Sequence, residues 1–295
     1  MDVEMKIQEP INRVTRKQKL KNYSKHPGSF LLALLTKLAI LLTVLALGFI
    51  LIYILVKGIP NLSTDLFALK YTTENVSMLP AIINTLTITL LSLCIAGPIG
   101  IFSAIYLVEY AKKGNKLVEV VRVTAETLTG IPSIVYGLFG MLFFVTTLKC
   151  GYSLLAGALT LSIMVLPVIM RTTEEALLAV PNSFREGSFG LGAGKLRTIF
   201  KIVLPSAVPG ILAGVILAIG RMVGETAALI YTAGTVAEIP SSIMSSGRTL
   251  AIHMYSLSKE GLYTDQAYAT AVVLLIVVVL INMLSNFVAK KFTKK

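Results

Sequence analysis

Six apolar runs, each near the roughly 20 residues that carry a helix across a bilayer, constrain this chain more than any other feature. They lie at about Leu38–Val56, Ala81–Val108, Gly130–Leu148, Leu154–Met170, Val208–Ala233 and Ala269–Val288. Lipid offers no partner for backbone N–H and C=O groups, so runs of this length must become helices that satisfy their own hydrogen bonds. Gly97-Pro98 and Gly100 inside the second run do not argue against a span, because neighbouring helices can satisfy the carbonyls freed at a kink. The reading is an all-α polytopic membrane protein with six transmembrane helices. Only 14% of the 295 residues are charged, against about 25% in an ordinary soluble domain.

The charge is unevenly placed. The net charge of +12 gathers in the first 29 residues, in 109–129, in 171–207 and in the tail beyond Val288. The segments 57–79 and 234–268 carry no positive bias. Lysine and arginine accumulate on the cytoplasmic side of membrane proteins, so six spans put both termini and the 171–207 loop in the cytoplasm. Basic residues placed this way serve orientation and lipid contact, and the composition gives no support for nucleic-acid binding. The first apolar run lacks a small-residue cleavage site and is expected to stay as a span. Residues 1–29 are expected to form a mobile basic tail, 30–76 the first helix with an external loop, 77–290 the main membrane domain, and 291–295 a basic tail.

The segment Glu174–Pro205 interrupts the apolar pattern. Ser183-x-x-Glu186 has the form of a capping box, and Gly192 and Gly194 supply a stop, so a short helix is expected from Ser183 to about Leu191. It would set Phe184, Gly187, Ser188 and Leu191 on one face. A second helix is expected through Leu196, Ile199, Phe200 and Val203, ending at Pro205. Taken alone, the segment reads equally as a solvated connector or as a docking loop for a soluble partner.

Arg221 and Glu225 lie inside the fifth apolar run. A charge at the centre of a membrane helix costs about 2.5–3.5 kcal/mol on insertion scales and usually faces a cavity or a partner. At i, i+4 spacing the two share one face, with Thr226 beside them. They either neutralise each other or line a path. The guanidinium is suited to bidentate oxyanion contacts. Ser133, after the Gly130-Ile131-Pro132 break, is a further candidate for a cavity wall. Cys94 is expected to be a small core residue, Lys37 and Arg171 to snorkel from span ends, and His253 to lie on the surface of an external loop.

Several chemistries find no support. Gly190–Lys195 imitates a phosphate-binding loop, but its glycine spacing is one residue short and Leu196 stands where Ser or Thr is needed. No HExxH, GxSxG or Cys/His cluster occurs, so neither an enzyme nor a resident cofactor or metal is expected.

Glu186-Gly187-Ser188, Gly192, Ile202 and Leu204-Pro205 resemble the EAA loop of ABC importer permeases. NTLTITLLSLCIAGPIGIFSAIYLVEYA, GIPSIVYGLFG and RMVGETAALIYTAG resemble signatures of the phosphate-specific branch. RTLAIHMYSLSKEGLYTDQAYATAVVLL is similar to the last third of one of that branch's two permease subunits. The resemblance covers about residues 30–290. It implies a type I ABC importer permease fold and a coupling helix, Ser183, Phe184, Arg185, Glu186, Gly187, Ser188, Leu191 and Gly192, seated in a cleft of the ATPase. It also implies a second permease subunit, a pair of ATPase subunits that bind the ATP, an external phosphate-binding protein, and contact of Arg221 with the anion in transit. Residues alone leave molybdate, sulfate or phosphonate open as the oxyanion. An ion channel without an ATPase is the reading from a different class, and it would need no coupling loop.

Overall fold

The computed structural model describes residues 27–112 and 114–293, with side chains for 28–112 and 114–287. The basic tail expected at 1–29 lies almost wholly outside them, as do the last two residues of the C-terminal tail. The chain divides into two units between Ile54 and Leu55. The first contributes most of α1 (Pro27–Gly58), whose apolar window is 0% buried. A helix apolar on every face belongs in lipid or in a core.

The second unit holds α2 (Leu79–Ile105), α3 (Lys116–Thr129), α4 (Ser133–Gly140), α5 (Leu154–Leu178), α6 (Asn182–Gly190), α7 (Lys195–Thr198), α8 (Leu204–Val223), α9 (Ala227–Ile230), α10 (Leu250–Glu260) and α11 (Thr264–Thr293). No strand occurs among the described residues. Among the described residues five helices are long and apolar enough to cross a membrane; the pair α3 and α4, bent by 103°, makes a sixth if counted as one span. The third expected span is therefore short. Its apolar part runs only over Ser133–Thr147, and the basic segment before it is not a plain loop but contains the amphipathic helix α3.

α5 is the central helix. Of its apolar window 67% is buried, against 44% for α2 and 28% for the window within Lys195–Val223. Lipid tails give no hydrophobic drive between helices, so close packing and hydrogen bonds must hold them. Ser92 Oγ donates to the Ala158 carbonyl at 3.1 Å and Ser162 Oγ to the Ser92 carbonyl at 3.2 Å, joining α2 to α5. Gly100 lets α2 approach Ile169, and Gly210 lets α8 approach Ala176. Cys94 points away from this core and is exposed, because the buried face of α2 passes through Ser92 and Ala96.

Among the described residues three helices change pitch at π-helical turns: Tyr106–Tyr110 after α2, Met141–Thr147 after α4, and Ile199–Val203 before α8. The last overturns an expectation. The helix beginning at Lys195 does not end at Pro205 but runs on into α8. Proline in a regular helix clashes with the carbonyl four residues back; the widened turn ends just before Pro205, which then occupies the first turn of α8.

Gly137 on α4 faces α9 so closely that a methyl group there would sit 2.8 Å from Ala228 Cα. Gly137→Ala is expected to cost about 1–3 kcal/mol through overpacking, read as a lowered Tm of the detergent-purified protein; an unchanged Tm would mean that this contact is loose.

Candidate functional site

α6 begins at Asn182 with Pro181 as its N-cap and no side-chain cap. The capping box expected at Ser183 does not form. Pro181 supplies the helix entry, which places Ser183 inside the first turn, past the position from which its hydroxyl would cap. The C-terminal stop is present. Gly192 has φ of +81°, Ala193 N–H bonds the Ser188 carbonyl at 3.1 Å, and Gly192 N–H bonds that of Phe189 at 2.9 Å. This is a Schellman closure, which requires a left-handed residue at the position Gly192 fills. Leu191 lies just past the helix, 91% exposed.

The residues expected on one docking face divide into two sets. Phe184, Glu186, Gly187 and Leu191 are not buried, with Phe184 and Leu191 exposed, as are Phe189 and Leu196. Ser188 is buried and shares a 2.8 Å hydrogen bond with Thr198, tying α6 to α7. Arg185 also turns inward. Its Nε and Nη2 donate to Glu109 Oε1 at 3.1 and 2.7 Å, Nη1 donates to the Val180 carbonyl at 2.8 Å, and Nη2 donates to that of Leu177 at 2.9 Å. The side chains of Arg185 and Glu109 are only 15% and 8% exposed. One guanidinium thus joins α6, the end of α5, and the π-helical turn that carries Glu109. Sequence reasoning misses Glu109, which lies 76 residues away along the chain.

A second set of ion pairs lies between α3 and α5 and along α5. Arg122 on α3 meets Glu174 on α5 at 2.6 Å, and Arg171 meets Glu126 at 3.3 Å and Glu175 at 3.5 Å. Arg171 does not snorkel from a span end, because α5 continues to Leu178.

The fifth apolar run does not form one helix. α8 ends at Val223, Gly224 breaks it, and α9 follows for a single turn. Arg221 occupies the last turn of α8, whereas Glu225 lies in the break, so the expected i, i+4 helical pair does not form. Glu225 Oε1 instead accepts from Ala228 N–H at 3.1 Å, capping α9. Among the described residues Arg221 has no ion pair within 4.0 Å, although it lies within electrostatic range of Tyr136. Arg221, Glu225, Thr226 and Ser133 are all partly buried. Thr226 reaches the Gly224 carbonyl at 3.5 Å, and Ser133 opens α4. Irregular backbone at membrane depth is tolerated where it is buried in protein or lines a cavity, and discontinuous helices commonly frame transport sites.

His253 corrects another expectation. It is 0% exposed within α10, and its imidazole meets the Tyr71 ring edge-on at 6.2 Å. Burial, with Arg248 close by, pushes its pKa down to about 3, so it is neutral at physiological pH. Among the described residues no group of His, Cys, Asp and Glu has the arrangement of a metal site.

Arg185→Lys keeps the charge but loses the forked contact with Glu109. At about 1.5–3 kcal/mol for a charge-assisted hydrogen bond, amide hydrogen exchange across 182–190 is expected to accelerate at least tenfold. Exchange at the wild-type rate would show that the guanidinium does not hold α6.

Comparison with known proteins places this architecture. Residues 96–295 match the family described as binding-protein-dependent transport system inner membrane component. The chain is 36% identical over 269 residues to the phosphate transport system permease protein PstA of Pasteurella multocida, covering 87% of this chain and 92% of that protein. It is 32% identical over 261 residues to the probable ABC transporter permease protein YqgI of Bacillus subtilis, covering 82% and 88%. In fold it resembles a chain of a bacterial alginate ABC transporter, solved in complex with an alginate pentasaccharide-bound periplasmic protein. The TM-score is 0.67 at 17% identity, over 92% of this chain and 98% of that one. It also resembles a chain of the MetNI methionine ABC transporter, with a TM-score of 0.56 at 21% identity over 73% and 94%. The chain belongs to the family of binding-protein-dependent transport system inner membrane components, as a PstA-like ABC transporter permease.

Proposed function

We propose that the chain is a permease subunit of an ATP-driven importer that moves inorganic phosphate inward across the cell membrane. The observation that carries the substrate is the 36% identity, across most of both chains, to a protein named for phosphate transport. The partners follow from the same relation: a PstC-like second permease, a dimer of PstB-like ATPases, and a PstS-like phosphate-binding protein outside. The basic loops and both termini face the cytoplasm, a placement supported by the distribution of lysine and arginine.

In this reading the ATPase receives the outer face of α6, with Phe184, Glu186, Gly187 and Leu191 as the surface and Ser183 and Gly192 at its ends. Arg185 and Ser188 act from within, binding that face to the spans. ATP-driven closure of the ATPases moves α6. The Arg185–Glu109 contact passes the movement to α2 and α5, and the pore switches between inward-facing and outward-facing states. The ATP is held by the partner subunits; this chain supplies motion and a path.

Arg221 is the proposed contact for phosphate within the membrane. Its position beside a helix break, without a carboxylate on its guanidinium among the described residues, leaves donors for an oxyanion. Glu225, engaged in capping α9, holds the break open, with Thr226 and Ser133 as further candidates for the path. A modest site suits transport, because an anion bound tightly would not leave.

Phosphate uptake by cells that depend on this subunit tests the reading. Arg221→Gln is expected to lower uptake about ten- to a hundredfold, the size of one charge-assisted contact, while the ATPase still co-purifies. Normal uptake by the variant would make Arg221 structural, and a wild type that retains its ATPase but moves no phosphate would overturn the substrate assignment.

A further inference from the structure

A cavity of about 310 Å³ opens beside α6, and the transport reading does not use its charges. Ser188, Leu191, Gly192 and Ala193 line one side of it, and Arg197 and Lys201 the other. The first group comes from the end of α6 and its closure, where Gly192 with φ of +81° turns the chain. Arg197 lies on α7, and Lys201 lies within the π-helical turn Ile199–Val203. Such turns are rare in helices and recur at functional sites. Both basic side chains are exposed, so their charged ends are open to a partner.

The five basic residues of the 171–207 segment divide into two groups. Three have partners on this chain: Arg171 pairs with Glu126 and Glu175, Arg185 with Glu109, and Lys195 lies over the Tyr110 ring at 4.8 Å. Arg197 and Lys201 have no ion pair within 4.0 Å among the described residues. Helix physics does not favour them there. Like charges at i, i+4 repel, and both lie near the N-terminal end of the helix that starts at Lys195, where the dipole opposes a cation. Orienting the spans needs basic residues on the cytoplasmic side, but it does not need two of them on the wall of one cavity.

An anion in the cavity offsets both costs, and the placement of the cations points to its source. The 20 residues of α8, Leu204–Val223, suffice to cross the hydrocarbon. Arg197 stands seven residues before Leu204, about 10 Å further out at 1.5 Å per residue. A lipid headgroup at the edge of the hydrocarbon stands level with Lys201, whereas a protein seated on α6 reaches both cations. Leu191, 91% exposed on the face assigned above to the ATPase, also lines the cavity.

We propose that this cavity is a socket for an acidic side chain, an Asp or Glu projecting from the ATPase, with its carboxylate held between Arg197 and Lys201. The inference rests on the ATPase-coupling reading above and adds the chemistry of the partner's surface. Phe184 and Leu191 give the ATPase apolar contact area. The socket gives register and selects against a partner that presents a cation there.

The test uses the complete importer in nanodiscs of neutral phosphatidylcholine, from which release of the ATPase is followed across a salt series. Arg197→Gln combined with Lys201→Gln is expected to speed release at least tenfold and to flatten its salt dependence. Lys112→Gln, a cytoplasmic lysine outside the cavity, is expected to change neither. Exposed positions tolerate such substitutions, so the double variant keeps its fold. Carbodiimide treatment of the wild-type complex is expected to join Lys201 Nζ to an Asp or Glu of the ATPase through an amide, located by mass spectrometry. Lys201→Arg, which keeps the charge, is expected to abolish that adduct while the ATPase stays bound. An adduct of Lys201 with this chain's own carboxylates alone overturns the socket. An effect of the double variant that appears only when anionic lipid is added assigns the cations to the membrane and overturns it too. A wild type that retains the ATPase while the double variant releases it no faster refutes this inference alone. A wild type that retains no ATPase refutes the coupling reading and the socket with it.

Discussion

The contact on which the placement of α6 depends is the one between Arg185 and Glu109. It is a charge-assisted, forked hydrogen bond in a poorly hydrated place, and it is reinforced by two carbonyls at the end of α5. Such pairs cost more when broken than they contribute when made, because the survivor is left as an unpaired buried charge. The short helix α6, with only nine residues, is below the length at which a helix is stable in water by itself. Its order comes from this clasp and from the Ser188–Thr198 contact.

The main helical unit is a packed block with two irregularities that carry charge. At one end, the π-helical turn after α2 turns Glu109 inward, and Gly192 closes α6 so that Leu191 is fully presented. In the fifth apolar run, Gly224 stops α8 and leaves Arg221 at a helix terminus with an open guanidinium. Both places depart from regular helix geometry, and both hold charge that a regular membrane helix would exclude. The ion pairs from α3 to α5 brace those two helices to each other.

Much of this is legible in the sequence, and the limits have physical causes. The apolar spans and the short helix closed at Gly192 follow from hydropathy and glycine placement, because both are local properties. The clasp is not local: Glu109 looks like one more charge after a span until the fold brings it to Arg185. The break at Gly224 is hidden because apolar residues continue through it, and hydropathy does not register a change of helix axis. Ser183 does not cap because Pro181 already provides the helix entry. His253 is misread as a surface residue because the segment around it is polar in composition, yet α10 buries one face through Leu250, Ile252 and Leu257.

The central claim is that the clasp transmits the ATPase stroke rather than merely attaching the ATPase. The most direct measurement is the ratio of ATP hydrolysed to phosphate imported by proteoliposomes holding the complete importer with Glu109→Gln. The account requires hydrolysis to persist near the wild-type rate while uptake falls about tenfold or more, the cost of one charge-assisted contact. Uptake and hydrolysis that fall together, or that both stay at wild-type levels, would contradict it.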